Sequence, residues 1–168
     1  VRQCLEQTYP KSHYHIGVIS DHMKDRTNEL LRQLPITLFT PQFEKSSKAK
    51  ALHYAINHTE KPYDYVVILD ADNMVMPDFL EHVNASCQQG YQAIQCHRCA
   101  KNNENDVAVL DGVSEEINNT IFRKAHNTIG ISSALIGSGM CFPYNWFKEH
   151  VGLLETAVED RELEILLI

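Results

Sequence analysis

At 168 residues and 43% hydrophobic, the chain carries enough apolar side chain to bury one sizeable core, which predicts a single domain over residues 1–168. A formal net charge of -7, with no Lys/Arg cluster longer than a pair, excludes a general binder of nucleic-acid backbone. It leaves room for a small anionic ligand, which one lysine, backbone amides and a bound cation can hold locally.

Val1 to Gln7 reads as a helix closed by Tyr9-Pro10. Tyr14 to Ser20 (YHIGVIS) has strand composition and stops at Asp21. A helical pattern follows from Thr27 to Leu34, with Thr27 in the N-cap position and Leu30, Leu31 and Leu34 as the apolar stripe. Ile36 to Thr40 reads as a short strand between Pro35 and Pro41. Ser47 to Asn57 (SKAKALHYAIN) places Ala51, Leu52, Ala55 and Ile56 on one helical face. Tyr65 to Leu69 is an apolar strand.

Pro77 stands at a first-turn position of a helix running to about Gln89, ended by Gly90, and Tyr91 to His97 reads as the next strand. Asp106 to about Thr128 has a long helical pattern. A Gly/Ser-spaced apolar stretch, Ile129 to Phe142, leads to Pro143 and a short amphipathic piece, Tyr144 to His150. Glu159 to Ile168 is helical again. Strand and helix alternate, which points to α/β.

Both ends fall inside helical patterns without caps, so a piece of a longer protein is expected. Five cysteines at irregular spacing, with no signal-peptide pattern, predict reduced thiols and a cytoplasmic setting. No apolar run approaches the length of a membrane span.

Acidic residues directly after strands face the ligand crevice of an open α/β sheet, and Asp21 and the pair Asp70, Asp72 hold such positions. Carboxylates one residue apart point the same way on an extended chain and suit a hard divalent cation that keeps open positions for phosphate. An acidic turn or helix cap accounts equally for such a pair. Lys48, near a helix start, has the reach to meet a diphosphate, or belongs to a solvated face.

Ser138 lies between Gly137 and Gly139, a spacing that suits close backbone approach or a bulge and is not a nucleophile elbow. Glu159 and Asp160 open an acidic helix start, favoured by the helix dipole, or supply a general base. Cys96-His97-Arg98-Cys99 invites a zinc reading but lacks a second ligand pair at suitable sequence spacing. His53 and His126 read as surface residues.

Taken in order, Asp21, the Lys48-Ala49-x-Ala51-Leu52 helix start, the strand running into Asp70-Ala71-Asp72, Gly137-Ser138-Gly139-Met140 and Glu159-Asp160 resemble the family-two inverting glycosyltransferases with a GT-A fold. The resemblance implies a mixed, mostly parallel, Rossmann-like sheet flanked by helices, here without its first strand. It implies a nucleotide-sugar donor, UDP-sugar foremost, with Mg2+ or Mn2+, and transfer to a hydroxyl of a carbohydrate or lipid-linked acceptor.

By the same resemblance Asp21 would contact the base, Lys48 the nucleotide region and Asp70 the ribose. Asp72, with Asp70, would hold the metal. Gly139 and Met140 would line the acceptor side, and Asp160 beside Glu159 would be the base. Polysaccharide biosynthesis, membrane attachment through segments outside this stretch and a homodimer paired through an open strand edge complete the expectations. The opening Pro-x-x-Asn loop of the family is missing, and His53 stands where Asn is common. A sugar nucleotidyltransferase and an inactive GT-A-like binding module are the alternative readings.

Overall fold

A computed structural model describes residues 1–168 except 103, 157 and 168. Helix α1 (Arg2–Leu5) and a 3-10 turn (Lys11–His13) lead into β1 (Gly17–Ile19), then α2 (Asp25–Arg32), β2 (Thr37–Phe39), α3 (Lys48–Asn57) and β3 (Tyr65–Ile68). They are followed by α4 (Phe79–Cys87), β4 (Ile94–Gln95) and α5 (Asp106–Asn118), which runs on through a π-helical stretch, Asn119–Ala125, into α6 (His126–Thr128). The chain closes with β5 (Met140–Pro143), α7 (Tyr144–His150), a 3-10 turn (Val151–Leu153) and α8 (Glu159–Leu166).

The expected mixed α/β architecture is present. Its balance differs from a mostly parallel sheet. β1 and β2 form a parallel pair, Gly17 opposite Thr37 and Ile19 opposite Phe39. β5 lies between β3 and β4 and is antiparallel to both. The cause is the direction of entry: β5 begins at Met140, opposite the last residues of β3 and β4, Ile68 and Gln95, so it has to run back against them. β3 and β4 themselves share one direction.

Alternation along β5 divides the interior. Met140 and Phe142 face the main core with Ile56, Phe147, Val151 and Leu163, while Cys141 faces a smaller cluster with Val83 and Cys87. Phe142 stacks on Phe147 and Trp146 with ring centroids 5.4 and 5.5 Å apart. Leu163 is fully buried, and Glu159, one turn earlier on the same face of α8, is drawn inward with it. Burying a leucine of this kind stabilises the docking of α8 by about 1.5–3 kcal/mol.

Several boundaries shift. α2 begins at Asp25 rather than Thr27, because the carbonyl of Lys24 already accepts from the amides of Thr27 (2.8 Å) and Asn28 (3.2 Å). Leu30 is exposed and only Leu31 and Leu34 are half-buried, since α2 covers the small β1–β2 pair rather than the main core. Pro77 sits just ahead of α4, its carbonyl accepting from the amide and hydroxyl of Thr8, and Asp78 is the N-cap residue. The strand expected over 91–97 narrows to Ile94–Gln95. α5 leaves Val107, Leu110, Val113 and Ile117 exposed.

Candidate functional site

β3 ends at Ile68 and the chain turns sharply, with the amide of Asn73 donating to the carbonyl of Asp70 (3.1 Å). The amide of Asp70 donates to Ser138 Oγ (2.9 Å) and to Asn73 Oδ1 (3.0 Å), and the Ser138 hydroxyl donates to Asn73 Oδ1. The Gly139 amide donates to the Ile68 carbonyl (2.8 Å). The Asp-Ala-Asp-Asn and Gly-Ser-Gly stretches are thereby interlocked around a fully buried serine.

Such a close turn needs backbone that other residues avoid. Gly137 and Gly139 adopt φ of 71° and 72°, the left-handed region open to glycine at little cost. Gln95 secures the turn from β4: its Nε2 donates to the Ser138 carbonyl (2.9 Å), and its Oε1 accepts from the Ile136 amide (2.9 Å).

Lys48 ties this turn to two helices. Ser47 caps α3, accepting from the Lys50 amide at 3.2 Å, so Lys48 leaves the first position of the helix. Its Nζ lies 2.7 Å from Asp70 Oδ1 and 3.1 Å from Glu159 Oε1, and it donates to the Gly137 carbonyl. A lysine ammonium has three hydrogens, and here three protein oxygens meet them. Burial disfavours the charged amine, but the hydrogen bonds and attraction of Asp70 and Glu159 outweigh it and hold the Lys48 pKa above its ordinary value.

Asp160 belongs to the same place. A Cβ built on Gly137 would stand 3.6 Å from both Asp160 Oδ2 and Lys48 Nζ, and 3.7 Å from Glu159 Oε1. Glu159 is 6% exposed and paired, whereas Asp160 is half-buried and accepts only from the Arg161 amide (2.9 Å) among the described residues. The two acids of the pair are therefore not equivalent.

Of the residues singled out from sequence, Lys48, Asp70, Glu159 and Asp160 are brought together around Gly137. Asp72 is exposed two residues beyond Asp70, and its side chain has no partner among the described residues. Asp21 is half-buried at the end of β1, its carboxylate 2.6 Å from His22 Nδ1, which lies 3.2 Å from Ser46 Oγ in the approach to α3. It neighbours the Lys48 helix start through that loop rather than touching Lys48.

Met140 is a correction. Its side chain is fully buried in the main core, because strand parity sends it inward with Phe142, so it does not line an acceptor surface. Gly139 is buried too, its amide and carbonyl bonded to Ile68 and Cys96. Gly137 is the glycine beside the acids. Asn73 and Gln95 were not among the residues singled out; Asn73 stood directly after the acidic pair, while nothing local marked Gln95.

A hard cation needs oxygen ligands, and the exposed carboxylate of Asp72, without a partner among the described residues, suits it. Asp70 already gives Oδ1 to Lys48.

A family model described as Glycosyl transferase family 2 matches residues 1–150, a span that ends before α8. Among solved structures, the chain is similar to S. aureus TarS 1-349 in complex with UDP, with a TM-score of 0.60 and 14% identity over 95% of this chain. The chain spans 47% of the length of that structure. The likeness extends the shared fold beyond the family match. No curated protein matches the sequence significantly.

Proposed function

The chain belongs to glycosyl transferase family 2, and from that premise we propose that it forms the catalytic region of an inverting enzyme that moves a sugar from a nucleotide-diphosphate donor to an acceptor hydroxyl. One observation carries the reading: Lys48 joins Asp70 at the end of β3 to Glu159 at the start of α8, so the strand-end Asp70 and the helix-start acids Glu159 and Asp160 meet at Gly137. The UDP held by TarS supports a uridine diphosphate donor.

The residues divide the work by their surroundings. Lys48, with its hydrogens directed at three protein oxygens, positions Asp70, Gly137 and Glu159 rather than reaching for a phosphate. Asp160 remains to take the proton of the acceptor hydroxyl as its oxygen bonds to the anomeric carbon and the bond from that carbon to the diphosphate breaks. Asp72, with the second oxygen of Asp70, would hold Mg2+ or Mn2+, which when bound offsets the charge on the departing diphosphate.

The test is binding and turnover on two variants. With Mn2+ present, UDP at about 100 times its Kd raises stability by about 2.7 kcal/mol. Asp72→Ala is expected to lose the Mn2+-dependent part of that thermal shift, and Asp160→Asn to keep it while losing transfer. Equal binding of UDP and Mn2+ with and without Asp72 overturns the reading.

A further inference from the structure

We propose that His97, Cys99 and Glu116 form a second metal site, selective for a zinc-like transition ion and separate from the donor site. Their ligating atoms all lie within 4.8 Å of one another, and His97 Nε2 stands 3.1 Å from Glu116 Oε2. The sequence showed only the Cys96-His97-Arg98-Cys99 stretch. The third ligand comes from α5, which the fold lays across that loop.

The structure separates the two cysteines. Cys96 turns toward the small apolar cluster with Cys87 and Cys141, away from His97 and Glu116. Cys99, three residues on, is exposed beside His97 and Glu116. Imidazole, thiolate and carboxylate together suit zinc, and three protein ligands leave a fourth position for water.

The loop and the helix are fixed against each other before any ion binds. Asn119 is buried at 6% exposure; its Nδ2 donates to the Arg98 carbonyl (2.7 Å), between His97 and Cys99, and lies 3.4 Å from Glu116 Oε2. One amide thus holds both the loop and the third ligand. Gly112, one turn before Glu116, lets the loop come close, since a Cβ there would stand 2.9 Å from Ala100 Cβ. On binding, Cys99 releases its thiol proton to solvent.

The site lies near the donor side without sharing its ligands: Lys101, at the end of the same loop, donates to the Asp72 carbonyl at 3.3 Å. This inference does not depend on the glycosyl-transfer reading.

Cobalt(II) is the probe. Titrated into the purified protein, it is expected to give a thiolate charge-transfer band and intense visible bands of a four-coordinate ion, displaced by Zn2+. Cys99→Ser abolishes the charge-transfer band. His97→Ala and Glu116→Gln each weaken cobalt binding roughly 10-fold or more, and Asp72→Ala leaves the band in place. The three ligands are exposed, so circular dichroism should show each variant folded. No band in the unmodified protein, a band that survives Cys99→Ser, or one lost with Asp72→Ala overturns the proposal.

Discussion

Replacing Lys48 by methionine keeps most of the stem and removes the charge. The amine pairs with Asp70 where both side chains are about a third exposed or more, 34% and 42%, a setting in which an ion pair contributes about 0.2–1 kcal/mol. The pair with Glu159 differs, since that side chain is only 8% exposed. Stripped of its partner, the Glu159 carboxylate stays buried and unmatched at a cost of about 1–3 kcal/mol. Lys48→Met should therefore destabilise by about 1–4 kcal/mol, a Tm loss of roughly 2–16 °C for a chain of this size.

Glu159→Gln removes the charge that was left stranded, so the double variant should be less damaged than the sum of the two. A urea-denaturation cycle is expected to give a coupling of about 1–2 kcal/mol; a value below about 0.5 kcal/mol refutes the pairing as the source of the loss. The pH dependence has a definite sign. The Lys48 pKa is raised in the folded state, so the stabilisation is fully present below the ordinary value of 10.5 and is lost as pH rises through the higher folded value. The gap between wild type and Lys48→Met should be flat through neutral pH and close in strong alkali.

Ser138→Ala removes the buried hydroxyl between Asp70 and Asn73; because the Asp70 amide keeps Asn73 Oδ1 at 3.0 Å, the expected loss in urea denaturation is about 1–2 kcal/mol. Gly137→Ala meets no atom closer than 3.6 Å, so its cost is backbone strain of about 1–2 kcal/mol at φ 71°. Gly130→Ala, at φ 77° in open space, should cost a similar amount by thermal melt, yet only Gly137→Ala should lower kcat, because only it puts a methyl group beside Asp160.

The features legible in the sequence are those with a local cause. The apolar run Tyr65 to Ile68 and the acids that follow it, the helix over Ser47 to Asn57, and the helix from Glu159 all rest on neighbours in the chain. Met140 was misplaced because a strand's parity is set by which face the sheet buries, and that depends on α7 and α8 packing against β5. That Lys48 would meet Gly137 and Glu159 was not legible, because both partners lie far along the chain. The meeting of Cys99 with Glu116 needed the register of α5 against a loop, which no spacing encodes.

Burial explains why one lysine serves a site with so many acids. Three carboxylates, on Asp70, Glu159 and Asp160, gather around Lys48 and Gly137, with Asp72 two residues beyond Asp70, in a chain that is already -7 in net charge. A buried carboxylate stays charged without a partner only at a cost, and Glu159 is the one with least access to water, so it takes the amine. Asp70 shares the amine from a more exposed position. Asp72 lies exposed to solvent, where the proposed cation can reach it, and Asp160 has no cation against it among the described residues, as the proposed proton transfer requires. On this argument an exchange of Glu159 and Asp160 cannot be neutral, although it conserves composition and charge: the longer acid would stand where the proposed reaction takes its proton, and the shorter one would fall short of Lys48.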